Sequence, residues 1–150
     1  MAALFGARRL EELLRRVAGL NIDKSDVKRV TDLLGKKLND LLIVGVRNAS
    51  YNGRDVVMPP DLPLTLGFLE SIKEFKKYEE EIELQPILEH LATYPPLERE
   101  LSVDVEQMLP EIAGALLLIA ARTMKTIDPG VKNPDTALWE RVAQIMDLTL

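Results

Sequence analysis

From Asp23 to Tyr51 apolar residues recur at helical spacing without a break, with Val27, Val30, Leu34, Leu38, Leu41 and Leu42 forming one stripe. Recurrence at three and four residues places such side chains on one face of an α-helix. A helix of about 27 residues is more than twice the usual globular length of about 11–12. Leu33, Ile43, Val44 and Val46 widen its apolar face, so burial around much of its girth is expected. An element this apolar cannot stand alone, and the rest of the chain must cover it. Asp23 is placed to cap its start, with Asp26 in the capping-box position three residues on. Asn52-Gly53 is placed to stop it.

Shorter elements flank this helix. Residues 8–18 carry Leu10, Leu13, Leu14 and Val17 at amphipathic spacing, and Gly19 can end that helix in a left-handed cap. After Gly53 the run Arg54-Asp55-Val56-Val57-Met58 is strand-like, Pro59 and Pro60 close it, and Asp61 is placed to cap a third helix over 62–77. The second half repeats the order. A short helix over 84–91 ends before Tyr94-Pro95-Pro96, and a loop through Arg99 leads to Ser102 as the next cap. A long helix carrying Val105, Leu109, Ile112, Leu116, Ile119 and Met124 follows, with Pro110 inside it, where a kink is expected. Asp128-Pro129-Gly130 ends it, and residues 136–147 form the last helix around Trp139, Val142, Ile145 and Met146. The Gly53 and Gly130 stops lie 77 residues apart in a chain of 150, which is an internal duplication of architecture.

Composition removes several function classes. With no cysteine and only one histidine, His90, disulfide scaffolds, thiolate metal sites and cysteine nucleophiles are excluded, and a catalytic triad would rest on one base. The longest apolar run, Ala115 to Ala121, is far below the length of a membrane span. The N-terminal MAALFGARRLEE has no signal-peptide pattern. The expectation is a cytoplasmic, membrane-free protein with no catalytic, metal or cofactor-binding residues. The formal charge of −5 is unevenly placed: residues 1–78 hold 14 Lys/Arg against 10 Asp/Glu, whereas residues 79–150 hold 5 against 14. A folded chain of this kind should present a more basic and a more acidic side.

Short helix, long helix, short helix, joined by two loops and present twice, resembles two histone folds in tandem. The most specific local match is Asn52-Gly53-Arg54-Asp55-Val56-Val57-Met58-Pro59-Pro60-Asp61-Leu62. It is similar to the second loop of archaeal histones, where a Gly-Arg pair is followed seven residues after the Arg by an Asp at the third helix. Over residues 7–148 the chain most resembles the single-chain histone-like proteins of the DUF1931 group. The resemblance implies an all-α protein of two halves, 7–77 and 83–148, joined by the linker 78–82 and paired as an intramolecular handshake pseudodimer, hence a monomer. It also implies that Arg54 and Asp61 form a structural clamp.

In DNA-binding histones the duplex crosses the paired first-helix N-termini and the two adjacent loop pairs. That implies DNA contact from Arg8, Arg9, Arg15, Arg16, Lys24, Arg54 and Lys132. Lys24 would meet Lys132 at one end, and Arg54 and Arg99 would meet Asp55, Glu98 and Glu100 at the other. The chain departs from the family pattern after Arg54, where Asp55 and Val56 replace phosphate-binding residues, and Val131 replaces the second Arg. If about four cations reached phosphate, log K would fall against log salt with a slope of about −3.6. Two functions follow as expectations: a non-catalytic histone-like protein with weak, salt-sensitive binding of double-stranded DNA at the nucleoid, or a protein-interaction module that has lost DNA contact and uses its acidic second half. His90 is expected to be packed rather than catalytic, and Glu79, Glu80 and Glu81 to be a solvated charge run rather than a cation site.

Overall fold

The computed structural model describes residues 5–150. Helix α1 spans Ala7–Ala18 and ends at Gly19, whose φ of 64° is the left-handed conformation that glycine adopts freely. Helix α2 spans Lys24–Tyr51, 28 residues. Its start is a closed capping box: Asp23 Oδ1 accepts from Asp26 N–H at 3.0 Å, and Asp26 Oδ2 accepts from Asp23 N–H at 3.1 Å. Strand β1, Val56–Val57, follows, then a 3-10 turn at Pro59–Asp61.

Helix α3 spans Leu66–Lys76 and is capped by Thr65, whose Oγ1 accepts from Phe68 N–H at 3.2 Å. Asp61 is therefore not the cap of this helix, contrary to the expectation from sequence. Leu62 precedes Pro63, and the proline ring disfavours helical geometry in the residue before it. Leu62 is accordingly extended, with φ −70° and ψ 133°, which delays the helix by four residues to Leu66.

Helix α4 spans Leu84–Leu91, strand β2 Glu100–Leu101, helix α5 Val103–Ile127 and helix α6 Thr136–Thr149. Ser102 caps α5 as its sequence position suggests, accepting from Val105 N–H at 3.1 Å, and α5 continues through Pro110 as one element. Asp135 caps α6, accepting from Leu138 N–H at 2.8 Å. The fold is mostly helical with one small sheet, in which β1 and β2 pair in parallel with Val56 opposite Glu100 and Val57 opposite Leu101. From sequence, residues 100–101 read as loop, because a two-residue strand carries no periodicity.

The two halves share one core. Helix α3 of the first half lies along α5 of the second, α1 also meets α5, and α4 and α6 of the second half meet α2 of the first. The middle of α5 is its most buried stretch, with every residue from Ile112 to Leu118 buried, joined by Leu34, Leu38, Phe68 and Trp139. Each half's long helix is thus covered partly by the other half's short ones. No helix is long and apolar enough to cross a membrane among the described residues.

Candidate nucleic-acid interface

Two crossed loop contacts sit beyond opposite ends of α2, about 40 Å apart at 1.5 Å per residue. Before its start, Asn21 N–H donates to the carbonyl of Lys132 at 2.7 Å. After its end, β1 pairs with β2, and Ser102 N–H donates to the carbonyl of Val57 at 3.0 Å. Both contacts join the loop before one half's long helix to the loop after the other's.

The first of these ends gathers cations. Lys24 and Lys132 are both exposed beside the Asn21 contact. Arg15 reaches Asn21 Oδ1 at 3.4 Å. Arg29, which the sequence does not single out, donates to Thr136 Oγ1 at 2.9 Å across the two halves. Lys125 Nζ donates to the carbonyl of Val131 and holds that loop closed. The neighbouring carboxylates Asp23 and Asp135 are occupied as helix caps. The side chains of Lys24 and Lys132 make no ion pair among the described residues.

The remaining candidate cations are disposed differently. Arg8 is almost fully exposed, with Glu12 one turn away at 3.9 Å. Arg9 and Arg16 turn toward the linker: Arg9 contacts Glu80 at 3.0 Å and donates to the carbonyl of Glu81, and Arg16 contacts the same Glu80 carboxylate and covers the Tyr78 ring at 5.5 Å. Glu79 and Glu81 are exposed, whereas the Glu80 side chain is drawn into these ion pairs. Glu80 clamps the linker to α1, and Glu79 takes a positive φ of 52° in the turn. These contacts engage two of the four α1 arginines.

Arg54 pairs with Asp61, as the resemblance to the archaeal histone loop implies. Asp61 is buried, and its second oxygen accepts from Met58 N–H at 2.8 Å. The clamp engages the Arg54 charge inside its own loop. Arg99 lies in that end's other loop and donates to the Glu98 carbonyl at 3.3 Å, with Asp55, Glu98 and Glu100 around it. That end has no cationic excess.

His90 is buried at 5% exposure against α2 at Gly35, with the Tyr94 ring edge-on at 5.7 Å between centroids. Burial first, and the charges of Asp32 and Asp40 second, push the Tyr94 hydroxyl above its ordinary pKa. An ion cluster that the sequence does not reveal lies nearby. The Lys37 side chain is almost wholly buried, and its Nζ lies 2.6 Å from Asp147 Oδ1 and 3.0 Å from Asp40 Oδ2; Lys36 shares Asp147 at 3.1 Å. Burial alone would lower the Lys37 pKa, but hydrogen bonds to Asp147 and Asp40 outweigh it and raise it. Those from Lys37 and then Lys36 hold Asp147 below the ordinary carboxylate range.

Comparison with known proteins agrees with this architecture. The family model described as a domain of unknown function, DUF1931, matches residues 10–147. The chain belongs to the DUF1931 family. A crystal structure of a Thermus thermophilus protein superposes with a TM-score of 0.95 at 47% identity, over 98% of this chain and 99% of that one. A crystal structure of an Aquifex aeolicus protein superposes at a TM-score of 0.76 and 27% identity, over 99% of this chain and 97% of that one. An Aquifex aeolicus (strain VF5) relative described as an uncharacterized protein is 28% identical over 142 residues, 95% of this chain and 82% of the relative.

Proposed function

We propose that this DUF1931 chain is an intramolecular pair of histone folds, residues 7–77 and 83–148, acting as a non-catalytic monomer by macromolecular association, with weak binding of double-stranded DNA at the nucleoid. The observation that carries it is the crossed loop pairing, β1 on β2 at one end and Asn21 on Lys132 at the other. A histone handshake sets each first loop beside the other half's second loop. Support for DNA comes from the Asn21–Lys132 end, where Arg15, Lys24 and Lys132 lie together, and the duplex would lie on that end alone. Arg54 acts as a clamp and Arg9 and Arg16 as linker ties, so they contribute little.

Anisotropy of a labelled duplex across a salt series tests this. Contacts from three cations give a slope of about −2.7 in log K against log salt. Replacing Lys24 and Lys132 together by Glu abolishes the binding. No binding of the unmodified protein at low salt removes DNA as the ligand.

A second reading, a protein-interaction scaffold without DNA contact, draws on two observations. Arg9, Arg16 and Arg54 are all engaged internally, and residues 79–150 carry 14 carboxylates against 5 cations. A directional acidic field of that kind orients basic protein partners.

A further inference from the structure

A groove runs between the C-terminal half of α2 and the loop after α4. Asn39, Ile43, Val46 and Arg47 line one wall of its larger chamber, with Pro95, Pro96, Leu97 and Glu98 opposite, enclosing 690 Å³. A second chamber of 370 Å³ shares Asn39, Pro95, Pro96 and Leu97, so the two adjoin. The volume is that of a small-ligand or peptide site, and such sites are mostly apolar with a few placed polar groups.

Asn39 is the polar group at the junction. It is 9% exposed, it lines both chambers, and its side-chain amide has no hydrogen-bond partner among the described residues. Its amide atoms are reached from the groove and offer one acceptor and two donors to whatever occupies it. Its complement is a peptide group, which supplies one C=O and one N–H. Only an extended segment has these free, since a helix pairs them internally.

The rim narrows the choice further. Arg47 on the α2 wall and Glu98 on the loop wall make no side-chain ion pair among the described residues, and both line the larger chamber. One cation and one anion give no net attraction for a polyphosphate, but they suit a segment that carries one residue of each charge. Ile43 is half exposed on the same wall, an apolar surface left for a covering chain.

We propose that this groove binds a short extended apolar segment of a partner protein. Asn39 pairs with one of its peptide groups, and Arg47 and Glu98 meet an acidic and a basic residue of the segment. The inference does not depend on DNA binding, because no cation of the Lys24–Lys132 end lines the groove.

The test is nuclear magnetic resonance of the ¹⁵N-labelled full chain. The probes are acetylated, amidated pentapeptides with Asp or Glu at one end, Lys or Arg at the other and Leu, Ile, Val or Pro between, against controls with a serine core. The expected result is saturable movement of the Asn39 side-chain amide and of the Ile43 and Leu97 backbone amides. Binding should weaken about tenfold or more in Asn39→Leu, where the peptide group loses its partner. Ile43→Lys, at an exposed position on the α2 wall, should weaken the same peptides without disturbing the core.

Three results overturn the proposal. One is the absence of any Asn39 shift at millimolar peptide. Another is shifts produced by AMP or ATP instead, which would make it a nucleotide site. The third is concentration-dependent shifts without peptide together with a doubled mass in light scattering, which would assign the groove to a second copy.

Discussion

The ring of Phe75 in α3 lies on the backbone of α5 at Gly114, where an added Cβ would come 2.6 Å from Phe75 Cζ and closer still to Cδ2 and Cε2. Gly35 in α2 meets the His90 ring of α4 in the same way. Each glycine lies eleven residues past the first residue of its long helix, Lys24 for α2 and Val103 for α5. Both long helices therefore admit a ring from the other half at the same depth. Glycine in mid-helix costs about 1 kcal/mol relative to alanine, and here close interhelical approach offsets that cost.

Gly114→Ala should destabilise the protein by about 1–3 kcal/mol, the usual penalty for overpacking a core. Gly67→Ala is the control, because a Cβ there meets only Thr65 Oγ1 at 4.0 Å; it should be neutral or stabilising by about 0.5–1 kcal/mol. Urea unfolding followed by the fluorescence of buried Trp139 measures both. Equal midpoints would refute the ring-on-glycine packing.

Arg54→Ala leaves the buried Asp61 carboxylate with the Met58 N–H as its remaining partner. A loss of about 1–2 kcal/mol is expected, toward the lower range for a charged hydrogen bond because Arg54 is itself partly exposed. An unchanged melting curve would show that the clamp contributes nothing.

The Lys37–Asp147 contact makes stability depend on pH at the acid limb. The folded pKa of Asp147 is depressed, so its contribution is present above its ordinary 3.8 and is lost as pH falls through the lower folded value. The Lys37 value is raised, so its contribution is complete below its ordinary 10.5 and is lost only above that, as pH rises through the folded value. Asp147→Asn should therefore be less stable than the unmodified protein near neutrality, and the gap should close below pH 3.8. A gap constant from neutral to acid pH would rule out this linkage.

Glu80→Gln removes the carboxylate that both Arg9 and Arg16 contact. If the chain binds duplex DNA, freeing these arginines should tighten binding and steepen the salt slope by up to about 2. Binding unaltered in both affinity and slope would place the duplex away from α1.

Much of the fold is legible because it is written locally. The α2 stripe, the Asp23–Asp26 box, the Ser102 cap and the Gly19 stop each depend on residues within about one turn of one another. The α3 cap is not at Asp61 because Pro63, two residues on, overrides a good capping residue. The Arg54–Asp61 pair is legible only through the resemblance of its loop to that of archaeal histones. Asn39 gives no signal, since one amide inside an amphipathic helix looks like any surface position until the loop at Pro95 and Pro96 covers it.

The sequence by itself determined the helices, their order, the duplication and the imbalance of charge between the halves. These follow from periodicity, capping and composition. Only the tertiary structure decided which charges remain available. Arg16 meets Glu80 across 64 residues, and Lys36 meets Asp147 across 111. Sequence spacing cannot encode such pairs, because they arise when two long helices that cannot be buried alone are each covered by the other half. That packing turns an apparent arginine patch into linker ties and leaves the exposed Lys24 and Lys132 together at one end.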